Sequence, residues 1–195
     1  MLSRLRLRRD WGQLDMRSDA MFVTLEAIST ELSDGLHKAP EFEPYGEYLF
    51  VNATNLENGR IVDKDPLKRC SYGEFLKYGV KLDSNTILYS IDGTIGNIAK
   101  YCGEKCVLGK GACYIKVKSD VDTSYIYYQL QSPHFKSYIN SMATGSTIRH
   151  VSLKTMRGYT FLLPSLAYQR KTASILSAVD KQIEINNAIN DNLAA

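Results

Sequence analysis

A mixed α/β domain of short strands and a few helices, continued by a long C-terminal helix, is the architecture this sequence predicts. Three observations carry the prediction. Short β-branched and aromatic runs, such as Tyr48–Val51, Thr86–Ile91 and Ala112–Val117, alternate with turn residues. Glycine and asparagine punctuate those runs, most sharply at Asn58-Gly59. Beyond Leu163-Pro164-Ser165-Leu166 the apolar spacing changes to steps of three and four.

Along the chain, residues 1–20 are rich in arginine with poor apolar spacing, and read as a tail or a short helix. Phe22–Ile28 is a short apolar lead-in. Tyr48–Val51 is a strand closed by the turn-like stretch Asn52–Gly59. Thr86–Ile91 is a second strand, ending at Asp92-Gly93. Ile98–Cys102 and Ala112–Val117 read as partner strands around a glycine-containing loop. Ser124–Leu130 is a helix interrupted by Pro133, with further helical turns over Phe135–Met142. In the last part, Leu176, Val179, Ile183, Asn186, Asn190 and Leu193 form a heptad-like seam, the pattern of a coiled coil. Asn186 and Asn190 are polar positions on it that can fix register. An amphipathic helix packed on its own domain would show similar spacing. No glycine or proline caps the helix before Ala195, so the chain reads as cut inside a longer helix.

With 195 residues and a 44% hydrophobic fraction, the chain can bury one full core plus an appendage. A net charge of +3 excludes histone-like bulk electrostatics but leaves room for a local basic face. No apolar run approaches a membrane span, and the basic start Met1–Arg9 is not followed by a signal-like apolar stretch. Cys70, Cys102, Cys106 and Cys113 do not make a disulfide framework at this size, so a cytoplasmic, reducing setting is expected.

The common catalytic signatures fail. Gly109-Lys110 is followed by Gly111 and preceded at position 104 by glutamate, so no phosphate loop forms. No aspartate or glutamate has a lysine two residues later, as the common metal-dependent nucleases require. There is no Pro-Pro for an amino-methyltransferase motif and no Gly-x-Ser-x-Gly elbow. Cys102-x3-Cys106-x6-Cys113 is the only metal-like cluster. It would need Cys70, His37, His134 or His150 as fourth ligand, and reads better as reduced cysteines in and beside strands. What remains are polar and basic loops: Ser33–Lys38, Ser90–Asn97 and Thr144–His150, with Lys100, Lys105 and Lys110 around the hairpin. Hydroxyls, glycine amides, lysine and arginine are the groups that contact DNA phosphates, and arginine can also read base edges.

The order of motifs is more specific than any one of them. Val23–Ile28 precedes Ser33-Asp34-Gly35; Tyr48–Asn55 precedes Asn58-Gly59-Arg60-Ile61; Asn85–Gly96 follows, with its Ser-x-x-Gly-x-Ile-Gly ending. Thr144–Ser152, Phe161–Gln169 and Ile175–Glu184 complete the set. So ordered, from about Phe22 to the C-terminus, the chain resembles the specificity subunit of type I restriction–modification systems (HsdS). It is similar to one target-recognition domain with part of the conserved helix that follows. A full member carries two such domains and two long helices, and the resemblance does not reach residues 1–20.

Behind the basic extension that composition marks at 1–20, the resemblance implies a DNA target-recognition domain at 21–163 and a conserved spacer and pairing helix at 164–195. It implies a globular recognition domain on a coiled-coil stalk, with no catalysis by this chain. Such a subunit reads one half of a split double-stranded DNA target. It docks modification subunits, which methylate adenine from S-adenosylmethionine, and a restriction subunit that uses ATP and Mg2+. The chain itself would bind no cofactor or metal. The expected DNA-facing residues are Lys38, Ser90, Asp92, Thr94, Lys110, Ser146, Thr147, Arg149 and His150. Leu176, Val179, Ile183, Asn186 and Leu193 would pair the helix, with a second copy or with partner subunits. The competing expectation is a remnant or decoy half-subunit that binds partners without reading DNA.

Overall fold

The computed structural model describes residues 20–145 and 149–193. Eleven short strands and five α-helices follow one another among the described residues. The strands are β1 (Met21–Thr24), β2 (Ser29–Ser33), β3 (Tyr48–Val51), β4 (Leu56–Glu57), β5 (Arg60–Ile61) and β6 (Arg69–Cys70), then β7 (Thr86–Ser90), β8 (Ile98–Lys100), β9 (Cys106–Leu108), β10 (Ala112–Val117) and β11 (Thr160–Leu163). The helices are α1 (Tyr72–Tyr78), α2 (Thr123–Gln129), α3 (Pro133–Met142), α4 (Leu153–Gly158) and α5 (Leu166–Leu193). A single 3-10 turn covers Ala53–Asn55. The expected mixed α/β domain with a long terminal helix is what folds.

The centre is an antiparallel sheet of order β2-β10-β7-β8. All five residues of β7 are buried, so this strand is covered on both faces. Because successive side chains point to opposite faces, Ile87 and Tyr89 enter one core while Leu88 enters another with Ala99, Ala112 and Tyr114. Helices α2, α3 and α4 roof the first core. Phe135 packs edge-on against Tyr159 at 4.6 Å and against Tyr89 at 5.4 Å. Burying one such aromatic ring stabilises by about 1.5–3 kcal/mol. A second sheet, β6-β3-β9, pairs β3 and β9 in parallel, and β1 pairs antiparallel with β11.

One expected pairing is corrected. Strands β8 and β10 share a sheet but do not pair: both hydrogen-bond to β7, one on each side. The chain between them leaves to form β9 in the other sheet, so the span reads as a hairpin locally but is not one. Helices α1 and α4 went unread because both are short. Each has a serine N-cap, Ser71 and Ser152, whose oxygen accepts from the backbone amide of Glu74 and Thr155 respectively. Pro133 does not break a helix; it stands in the first turn of α3 behind the Ser132 cap.

The Asn58-Gly59 turn forms as the dipeptide predicts. Asn58 (φ 49°) and Gly59 (φ 78°) join β4 to β5. A Cβ at position 59 would stand 2.5 Å from the Tyr127 hydroxyl oxygen, so the hairpin lies directly against α2.

Candidate nucleic-acid interface

The Ser90–Gly96 stretch leaves the end of β7 as a tight loop. Ser90 is fully buried. Its hydroxyl donates to the Thr94 carbonyl and accepts from the Asn97 amide at 2.8 Å. Ser90 is therefore not on the surface, where the expected DNA-facing role would need it; it staples the loop from inside. Gly93 (φ 67°) and Gly96 (φ 107°) take left-handed conformations that a side chain would strain. The motif thus builds a shape that leaves Thr94 exposed.

Two other segments close on this loop. The Gly93 amide donates to the Arg149 carbonyl at 2.9 Å, and the Val151 amide donates to the Ile91 carbonyl at 2.9 Å. Residues 149–151 therefore run beside 91–93, and Thr144 bridges to His150 from the other side. From the turn after β9, the Lys110 ammonium stands 3.7 Å from Asp92 Oδ2. Asp92 Oδ1 meets His150 Nδ1. One carboxylate thus holds two basic side chains, and Asp92 serves the face as a clamp. Arg149 is exposed and rests on Asn140, with Nη2 donating to its carbonyl at 3.2 Å.

Asp92, Thr94, Lys110, Arg149 and His150 are therefore brought together. Lys38 has its contact elsewhere, with its ammonium 4.9 Å above the Tyr78 ring at the end of α1. Ser146 and Thr147 lie outside the described residues. Asn140, which seats Arg149, was missed by sequence reasoning because nothing local links α3 to position 149.

Among the described residues, no cluster of three or more His, Cys, Asp or Glu could hold a metal ion. All four cysteines are free thiols. Burial pushes Cys70 up to about 11 and Cys106 up to about 12, and raises Cys113 too. None of these three is a thiolate at neutral pH. No described helix is long and apolar enough to cross a membrane.

Helix α5 shows which stripe meets the domain. Gln169 and Ala173 are buried. Ser177 Oγ and Asp180 Oδ2 both lie within hydrogen-bond distance of the Tyr128 hydroxyl, at 3.1 and 2.8 Å. Glu184 pairs with Arg60 at 3.2 Å. Burial, and then the Asp180 carboxylate, push the Tyr128 phenol up to about 12. The heptad seam lies off this stripe and is open: Val179 and Ile183 are each 52% exposed, and Leu193 is 81% exposed. Asn186 and Asn190 are exposed as well. From Leu176 onward the seam is not the face that packs on this domain. Ile175, Ile185 and Ile189 are also exposed, and these apolar positions were missed because they lie one residue out of step with the seam.

A family model described as the type I restriction modification DNA specificity domain matches residues 22–195. The chain belongs to that family. A putative type I restriction enzyme specificity subunit of Methanocaldococcus jannaschii is 31% identical over 181 residues, covering 90% of this chain and 38% of the relative. A putative type I specificity subunit of Mycoplasma pneumoniae is 28% identical over 146 residues, covering 69% and 38%. Among solved structures, the type I system S subunit of M. genitalium superposes with a TM-score of 0.61 at 19% identity, covering 89% of this chain and 44% of that one. The HsdS subunit of Thermoanaerobacter tengcongensis gives 0.62 at 13% identity, covering 91% and 41%. These likenesses support the fold, and the chain spans less than half the length of the relatives it matches. The family is one of specificity subunits, the non-catalytic members of type I systems.

The specificity-subunit motif at the root of α5, Leu163-Pro164-Ser165-Leu166-Ala167-Tyr168-Gln169, has a physical reason. The Gln169 amide Nε2 donates to the Pro164 carbonyl at 2.7 Å. Its Oε1 accepts from the Asp122 amide at 2.9 Å. One glutamine thereby satisfies two backbone groups at the corner where strand, helix α2 and helix α5 meet.

Proposed function

We propose that this chain reads one half of a split double-stranded DNA target and delivers partner subunits to it. The observation that carries the reading is the convergence of Thr94, Lys110, Arg149 and His150 on loops tied to the end of the central strand β7. An exposed arginine and lysine held in fixed positions are suited to contact phosphates and base edges. In this reading Asp92 orients the basic groups, and Ser146 and Thr147 contact the same DNA. Residues 21–163 act as the recognition domain and 164–195 as the spacer and docking helix, with 1–20 as an extension.

The open seam of Leu176, Val179, Ile183, Asn186 and Leu193 pairs with a second long helix, from another recognition domain, a second copy or a modification subunit. Partner subunits supply the chemistry, methylation from S-adenosylmethionine and restriction with ATP and Mg2+, while this chain binds no cofactor. The assembly works on DNA in the cytoplasm.

The test is a map of methylated adenines in the host genome with and without the intact gene. Loss of one two-part motif supports the reading, and the symmetry of the motif reports whether one recognition domain or two were used. The open seam of α5 favours a second reading, a remnant or decoy half-subunit that binds partners and does not read DNA. That reading predicts an unchanged methylation map, indifference to Lys110→Ala and Arg149→Ala, and loss of partner binding on substitution of the seam.

A further inference from the structure

Beyond its buried root, α5 makes polar contacts with two residues of the recognition domain. Tyr128 on α2 meets Ser177 and Asp180. Arg60, on the strand that follows the Asn58-Gly59 turn, meets Glu184. Behind Arg60, the hairpin lies against the ring of Tyr127, the neighbour of Tyr128 on α2. Lys100 covers that same ring at 5.0 Å. Hairpin, helix α2 and helix α5 thus form one braced corner. The helix side of it is a stripe at positions 169, 173, 177, 180 and 184, spaced so that one face meets the domain.

We propose that Tyr128–Asp180 and Arg60–Glu184 form a latch that fixes the angle between the recognition face and α5, and thereby the spacing at which the two halves of the target are read. The inference rests on the DNA-reading function proposed above and assigns these four as positioning residues. The leverage is geometric. Ala173 is the last buried residue of α5. From there to Leu193 the helix extends about 30 Å at 1.5 Å per residue. A pivot of about 10° at Ala173 displaces the far end by roughly 5 Å, or about 1.5 base pairs at ~3.4 Å per pair. Gln169 and Ala173 hold the root alone and do not prevent such a pivot; contacts at 180 and 184 do. The latch also leaves both the seam and the DNA-facing loops free, which a spacing device must do.

The test pairs two readouts on the intact gene product carrying Tyr128→Phe with Arg60→Ala. Tyr128→Phe keeps the buried ring, and Glu184→Gln serves as a second variant should the double substitution impair folding. In cells, methylation maps are expected to keep both half-site sequences while sites with one base pair more or less between them rise roughly tenfold, equivalent to about 1.4 kcal/mol. In the purified protein, spin labels on the exposed Cys102 and on Asp191→Cys are expected to show a distance distribution broadened by about 5 Å, the displacement worked out above. An unchanged spacer together with an unchanged distribution overturns the latch. A broadened distribution with a single retained spacer overturns its role in spacing. If the unsubstituted gene gives no methylated two-part motif, the DNA-reading function is what fails, and the distance distribution still decides whether the latch holds the helix.

Discussion

Replacing Gln169 removes a side chain that ties the root of α5 to the recognition domain through buried hydrogen bonds. It is 2% exposed, and its two partners are backbone groups: the Pro164 carbonyl at 2.7 Å and the Asp122 amide at 2.9 Å. Leaving a buried donor or acceptor without a partner costs about 1–3 kcal/mol. Gln169→Ala strands one of each and opens a cavity, so a loss of about 3–5 kcal/mol is expected. At ~2–4 °C per kcal/mol for a domain of this size, the melting temperature should fall by roughly 6–20 °C. Gln169→Met separates the causes, because it keeps most of the volume and neither hydrogen bond. Urea unfolding followed by far-ultraviolet circular dichroism measures both. Gln169→Met is expected to cost at least about 2 kcal/mol. If it lies within about 0.5 kcal/mol of the parent, the hydrogen bonds are not what holds the corner and the reasoning is refuted.

Other perturbations reach different parts of the molecule. Arg149→Ala should weaken binding to the cognate half-site by about 1–3 kcal/mol and relax one position if the arginine reads a base. If it touches only phosphate, all sequences should weaken alike and the salt slope should flatten; gel-shift titrations at several salt concentrations separate the two, and unchanged affinity and slope would sink both roles. Asn58→Val forces a β-branched residue to φ 49° and should cost about 1–3 kcal/mol in urea unfolding, whereas Asn58→Gly should be nearly neutral. Glu31 is held below its ordinary value of 4.5 by hydrogen bonds from Lys116 and then Tyr114. A lowered folded-state value means that its contribution is present above about pH 4.5 and fades as the pH falls through that lowered value. Glu31→Gln should therefore lower the melting temperature at pH 7, and that difference should shrink as the pH is taken below 4.5 through the lowered value; a difference that does not change with pH would contradict the assignment.

Much of the architecture is written in local pattern. The Asn58-Gly59 turn, the buried runs around Ile87 and Ile115, and the three-and-four spacing of α5 each depend on a few neighbouring residues, and each forms where the pattern places it. The same locality explains the errors. The span from Ile98 to Val117 has the sequence of a hairpin, but which strands pair depends on β7 lying between β8 and β10. Ser90 has the sequence of an exposed turn hydroxyl; only the closure of Asn97 and Thr94 over it makes it a buried staple.

The candidate site divides the same way. Sequence alone established the motif order that marks a type I specificity domain, the basic loops that could meet DNA, and an apolar seam too regular for a loop. Tertiary structure decided that Lys110, Asp92 and His150 meet at one end of the central sheet, while Lys38 turns to Tyr78 instead. It also decided that α5 turns its Gln169, Ala173, Ser177, Asp180 and Glu184 stripe toward the domain and leaves its seam open. The reason is physical. Periodicity is set by neighbours within one or two turns, whereas the partner of a side chain is set by contacts between residues far apart in the chain, such as Arg60 with Glu184. Nothing in the local sequence encodes those distances until the core has closed.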